Sequence, residues 1–228
     1  MFSQERPMTQ PQPIQPFLDN SLQADAALYF LPQGHYLFRW REQSGLSGSK
    51  FVTPDDLQAA FTNSERDTGW LAPGIVRAGY GKNGEWFVMH APPQKISLHL
   101  LDLGTLTIPA PALVLAGAGR SYYLWALAEP FSPQARAYDA PFPNVHSGGQ
   151  ICWGNNTPPI ASPASAQVAW KLFFESPFNS HLTQGKTVHH SDDVRKLLVR
   201  LAGKHKFPLR ELAATRGTLA SSIERLFK

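Results

Sequence analysis

The sequence predicts an α+β fold: a four-stranded antiparallel meander followed by helices packed on one side of it, with a hairpin and a helix added at the front. Three observations carry this. Short apolar runs separated by Gly- and Asn-containing turns fill the middle of the chain, whereas helical periodicity appears only near residue 54 and beyond residue 163. Strands in one block and helices in the next is the α+β order. Twenty prolines and 17 glycines among 228 residues exclude a mainly helical bundle.

Residues 1–20 read as a flexible Gln/Pro-rich arm, with Pro7, Pro11, Pro13 and Pro16. Residues 21–69 read as an N-terminal extension. In it, the runs Ala26–Leu31 and His35–Trp40 flank Pro32-Gln33-Gly34, a hairpin signature. Gly45-Leu46-Ser47-Gly48 reads as a loop. Thr53-Pro54-Asp55-Asp56 is a helix start, with a hydroxyl cap, Pro at the first helical position and carboxylates in the first turn; Leu57, Ala60 and Phe61 supply an apolar face. The core is assigned to residues 70–185. Its strands are Ile75–Tyr80; Trp86–His90, continued beyond Pro92-Pro93 by Ile96–Leu101; Leu106–Leu115, pushed toward a sheet edge or a bulge by Pro109 and Pro111; and Tyr122–Leu127. Phe131–Ala161 is an irregular loop of a length that compact domains reserve for function. Helices are predicted over Ala164–Phe174, Asp192–Leu201 and Thr218–Phe227, each with apolar residues at i, i+3 or i+4. The last two belong to a basic helical tail, residues 186–228, packed on the core.

Composition narrows the class. At 43% hydrophobic and 17% charged, the chain folds rather than staying disordered. A single cysteine, Cys152, excludes an intramolecular disulfide and a cysteine-based structural zinc site, and it fits a reducing compartment. No apolar stretch reaches the roughly 18 residues of a membrane span, and residues 1–16 hold Glu5 and Arg6 but no apolar signal region, so the expected location is the cytoplasm, away from membranes. Residues 186–228 hold ten Lys/Arg and four Asp/Glu, a local +6; the first 185 residues therefore carry −2 of the total +4. The ordinary reading of that tail is a solvated helical face.

The chemistry concentrates in Pro141-Phe142-Pro143-Asn144-Val145-His146-Ser147-Gly148-Gly149-Gln150-Ile151-Cys152-Trp153. A free cysteine often merely packs, but this one lies in a Gly-rich loop following a sheet, where functional groups gather. The segment resembles the active-site signature of ubiquitin-conjugating enzymes: His-Pro-Asn-(Ile/Val), a Gly-containing turn, then Gly-x-(Ile/Val)-Cys. Pro143, Asn144 and Val145 match the first half, Gly149, Ile151 and Cys152 the second, eight residues apart from Asn to Cys. The resemblance spans about residues 70–185. Phe142-Pro143-Asn144-Val145, Ile151-Cys152-Trp153-Gly154-Asn155-Asn156 and Phe173-Phe174-Glu175-Ser176-Pro177-Phe178-Asn179 are similar to a prokaryotic branch found in ParB-related, ThiF-related plasmid cassettes.

This resemblance implies a ubiquitin-conjugating-enzyme-like fold and a catalytic Cys152 that accepts the C-terminus of a ubiquitin-like protein as a thioester. It implies Asn144 as the donor to the oxyanion, no cofactor on this chain, and two partners: a ubiquitin-like protein and a ThiF-type activating enzyme. The chemistry is sound for these residue types. Cysteine keeps a few per cent thiolate at neutral pH, and a side-chain amide stabilises a developing oxyanion. Phe142 stands where the signature has His, and Trp153-Gly154-Asn155-Asn156 replaces the usual acidic continuation, so no carboxylate is available from it for the incoming amine. His146, Trp153 and Asn155 are candidate supporting residues; for His146, a solvated loop histidine is the ordinary alternative.

Other chemistries fare worse. His189-His190 are adjacent and lack ligand spacing, so no metal site is expected. No Gly-x-Ser-x-Gly elbow is present, and Gly79-Tyr80-Gly81 and Gly117-Ala118-Gly119 lack any phosphate-loop continuation. Leu209–Gly217 with Ile223 has helix–turn–helix-like spacing, but it lacks base-reading polar residues, so a nucleic-acid partner is not expected. Two alternatives to catalysis stay open: an inactive module of the same fold that binds a ubiquitin-like protein or its activating enzyme, and a DNA-associated plasmid factor using the tail.

Overall fold

A computed structural model describes residues 25–42, 44–62, 70–81 and 84–226. The Gln/Pro-rich arm, the turn residues Lys82-Asn83 and the end of the last predicted helix lie outside the described residues. The chain divides into two compact units, Met1–Asp67 and Thr68–Lys228.

The first unit is a three-stranded antiparallel sheet and a helix. β1 (Ala26–Leu31) and β2 (His35–Arg41) form the expected hairpin through a 3-10 turn at Pro32–Gly34, where Gly34 supplies φ +78°. Ser47–Val52, part of which reads as a loop in the sequence, is a third strand, β3, on the other edge of β2. Its register explains the difference: Gly48 lies opposite Trp40, and the indole occupies the space a Cβ would need. Pairing with an aromatic partner, not the local composition, makes this a strand. α1 (Pro54–Thr62) opens with a reciprocal cap. The Thr53 N–H donates to Asp56 Oδ2 (2.9 Å) and the Asp56 N–H donates to Thr53 Oγ1 (3.1 Å). That backbone hydrogen bond from Thr53 holds the Asp56 carboxyl below its ordinary pKa.

The second unit is built on β4 (Ile75–Gly81), β5 (Gly84–Ala91), β6 (Gln94–Leu100), β7 (Gly104–Ala110), β8 (Ala112–Ala118) and β9 (Ser121–Leu127). β5 pairs with β8 from Trp86↔Ala118 to Ala91↔Leu113; three residues further along each strand, β6 and β7 take up the same register at Gln94↔Ala110. The ladder breaks where Pro92, Pro93 and Pro111 fall, because proline has no N–H to donate. The second and third strands of the meander are therefore two long strands broken by proline, as expected for the second. The edge position expected for the Leu106–Leu115 strand holds only for β7, since β8 lies between β5 and β9.

The sheet has six strands rather than four, in the order β11-β10-β9-β8-β5-β4, all antiparallel. β10 (Arg136–Asp139) lies inside the predicted loop, and β11 (Ala214–Thr218) lies inside the tail expected to be helical. The tail is thus helix, 3-10 turn, strand and short helix. The helix–turn–helix spacing is not realised, since Leu209–Glu211 is the 3-10 turn and Ala214–Thr218 a strand.

Strand alternation gives the sheet two apolar faces. Phe87, Met89, Leu113, Leu115, Tyr122 and Leu124 point to one face and share one core with α2 (Ala166–Glu175), which lies against β6, and α3 (Val194–Leu201), which lies against β7. Val88, Val114, Ala116, Trp125 and Leu127 point to the other, which is covered by Leu219 and Ile223 of α4 (Leu219–Glu224). Helices on one side only was the expectation. The structure corrects it, because a sheet apolar on both faces needs cover on both. Among the described residues, no helix is long and apolar enough to cross a membrane.

Candidate functional site

The segment with the single cysteine is a small hairpin docked on the sheet. After β10 the chain turns inward through Pro141, Phe142 and Pro143, all buried. The His146 N–H donates to Gln150 O (2.7 Å) and the Cys152 N–H to Asn144 O (2.8 Å), bracketing the non-hydrogen-bonded pair Val145↔Ile151. Val145 and Ile151 are buried in the core. Their neighbours Asn144 and Cys152 are joined by that second hydrogen bond, on either side of the hairpin. The interval of eight residues is the spacing of this hairpin. Its second limb extends the sheet beyond β10: Leu124 N–H donates to Gly149 O and Ile151 N–H to Tyr122 O, each at 2.8 Å.

The tip is fixed from beneath. The Trp125 indole N–H donates to Gly148 O (3.1 Å), and Gly148 N–H donates to Asp139 Oδ1 (3.2 Å). Lys186, only 2% exposed, lies in the field of that carboxylate; burial pushes its pKa down and Asp139 opposes the shift. Asn144 adopts φ +60°, a conformation Asn tolerates better than most residues. Its amide donates to Pro177 O (3.2 Å), and its N–H to His181 O (3.4 Å). One amide proton is thus engaged in holding the rim, and a second remains on the same nitrogen.

Asn144 and Cys152 open into a groove of about 460 Å³, walled by residues 153–156 and by the end of α2 with the segment after it, through His181. Cys152 is half-buried. Trp153 and Asn155 line the groove. Trp153 stands edge-on to Tyr122 (5.4 Å) and Phe173 (6.2 Å), and its indole N–H is buried without a partner among the described residues. Asn156 Nδ2 donates to Ser176 Oγ (2.9 Å), tying the wall together. His146 does not join them: it sits exposed at the hairpin tip and does not line the groove. Among the described residues, the only titratable side chains lining the groove are Cys152 and His181. Sequence reasoning missed His181; it lies in Asn179-Ser180-His181-Leu182, with no periodicity to mark it.

Phe142 occupies the position of the signature imidazole. It is fully buried, edge-on to Phe173 (6.4 Å) and Phe174 (5.3 Å). It serves as a packing anchor between the hairpin and α2. Phe142→His is therefore expected to lower stability by about 2–4 kcal/mol, through lost aromatic packing and a buried polar ring. A urea titration checks this; an unchanged midpoint would contradict the anchor role.

His189 and His190 do not converge, since His189 Nδ1 faces Glu211 (3.2 Å) and His190 Nε2 faces Arg200 (3.2 Å). No curated protein and no solved structure matches the chain. The model of a family described as prokaryotic E2 family D does match it, over residues 52–215, a span that holds the whole meander, the hairpin and the groove, and the chain belongs to that family.

Proposed function

We propose that the chain is a conjugating transferase. In this reading the Cys152 thiolate takes the C-terminal acyl group of a ubiquitin-like protein as a thioester, and an acceptor amine then displaces it. The observation that supports it most is the hairpin geometry: Asn144 and Cys152 are joined by a main-chain hydrogen bond beside the Val145↔Ile151 bridge and open into one groove. A half-buried cysteine that lines the groove favours catalysis over the inactive-module alternative, which would fit a sealed one. The free proton of the Asn144 amide serves mainly the oxyanion that forms when the acceptor amine adds to the thioester carbonyl. Donors of this kind are worth about 2.7–4 kcal/mol of barrier. Trp153 and Asn155 shape the groove for an extended chain. The fold we assign is the ubiquitin-conjugating-enzyme-like one.

Membership of an E2 family makes ubiquitin-like proteins the partners to test. More narrowly, we place the chain as protein B of a PRTRC cassette, on Phe142–Val145, Ile151–Asn156 and Phe173–Asn179. A ThiF-type enzyme of the same cassette would then supply the activated acyl group in the cytoplasm and consume the ATP. The test is a reconstituted charging reaction with that enzyme and the cassette's ubiquitin-like protein, run on gels with and without thiol. A thiol-sensitive adduct on the wild-type chain is expected; an adduct that persists in Cys152→Ala would refute the assignment.

Asn144→Ala is expected to slow transfer to an amine by about 10²–10³, far more than it slows charging. Asn144→Gly should do the same, and it accepts φ +60° without strain. If Gly restores transfer, the amide acts only on the backbone and the oxyanion role fails.

A further inference from the structure

We propose that His181 is the general base of the transfer step, an inference that rests on the thioester reading of Cys152. When the acceptor nitrogen adds to the thioester carbonyl, a C–N bond forms, the carbonyl oxygen takes the electron pair, and the nitrogen becomes positive and acidic. One of its protons must go to a base before the amide is complete. The oxyanion then collapses, the C–S bond breaks, and Cys152 leaves as a thiolate, which recovers a proton from the imidazolium or from solvent. The products are an amide and a free thiol.

The groove offers one group for that proton. In the thioester Cys152 has nothing to titrate, and the other titratable side chain lining the groove is His181. The hairpin contributes no second one, because His146 stands at the far tip. Residues 153–156 are Trp, Gly, Asn and Asn; at the end of α2, Lys171 and Glu175 are exposed but do not line the groove. Asp192 and Asp193, ahead of α3, are paired with Lys196 and Arg195.

The backbone holds His181 at the rim by independent means. Its N–H donates to Asn179 Oδ1 (2.8 Å), its carbonyl accepts the Asn144 N–H, and Leu182 turns the chain away at φ +56°. A left-handed leucine is uncommon and strained, and the surrounding contacts must hold it. The imidazole itself has no hydrogen-bond partner among the described residues, so both nitrogens are free for a substrate.

The experiment loads the full chain by exchange with a synthetic peptide bearing a C-terminal glycine thioester, removes excess peptide, and follows discharge to free lysine by mass spectrometry. Rates are expressed per unprotonated lysine across pH 5–8, the interval in which imidazole side chains change charge. Wild type is expected to accelerate as pH rises through that interval, since only the neutral ring accepts a proton. His181→Gln should flatten the profile and cut discharge about 10²-fold more than loading. Added imidazole should restore part of the rate to His181→Ala, which a purely structural role would not allow. Loading with discharge and pH profile unaltered by His181→Gln overturns this inference alone. Failure of the wild-type chain to load overturns the thioester reading and this inference with it.

Discussion

Cys152→Ser is expected to replace a thiol-sensitive adduct with a thiol-resistant one that forms slower by two orders of magnitude or more. Serine keeps the attacking atom at the same place on the hairpin, because the Cys152 main-chain bond to Asn144 O does not involve the side chain. It loses the ionised nucleophile, since a cysteine is a few per cent thiolate at pH 7 and a serine hydroxyl is not. The product changes from thioester to oxygen ester, which reducing agent does not cleave. With one cysteine in the chain, no second thiol can carry the adduct. Gels with and without thiol, over a time course with the activating enzyme, check the outcome. A fast, thiol-sensitive adduct on Cys152→Ser would place the chemistry on another residue.

The second large effect is structural. Gly149 has φ +100°, and a Cβ there would lie 2.6 Å from Trp125 Nε1, 2.8 Å from Trp125 Cε2 and 3.0 Å from Leu124 O. The indole is 1% exposed and cannot swing aside, and the carbonyl belongs to β9. Gly149→Ala therefore combines backbone strain with overpacking, about 3 kcal/mol or more. That corresponds to a drop of roughly 6–12 °C in Tm for a unit of this size. Gly148→Ala is the control: φ +90° with open space around the Cβ, hence strain without the clash. Calorimetry of the pair checks it; equal Tm values would mean that the approach to Trp125 costs nothing.

The readable parts of the fold were those in which each strand carries its own signal. Phe87 and Met89 alternate with Val88, and Tyr122 and Leu124 alternate with Tyr123 and Trp125, so both faces were written into the chain. β3 and β11 carry no such alternation. Ser47–Val52 becomes a strand by pairing with β2, its Gly48 leaving room for the Trp40 indole, and Ala214–Thr218 by pairing with β10. Helices on both faces followed from the same alternation but were not deduced, because the short helix at Leu219 gives too little periodicity to say what it covers. Asn144 and Cys152 were legible because a hairpin turns a fixed interval into proximity. His181 was not: 29 positions beyond Cys152, it reaches the groove through a turn at Asn179 and a left-handed Leu182.

The long-range pairing of β10 with β11 has a consequence for the order in which the molecule assembles. The meander closes through short turns, so its pairings cost little chain entropy and form early. β10 instead waits for a partner some 78 residues downstream, where Thr215 Oγ1 meets Ala137 O. Until residues 214–218 have been synthesised, β10 is paired with β9 on one side and presents bare N–H and C=O groups on the other, and it carries Asp139, which holds the hairpin tip. A nascent chain would thus display an open sheet edge close to the hairpin that carries its only thiol, and it is there that a chaperone, or a mispaired second chain, would find it first.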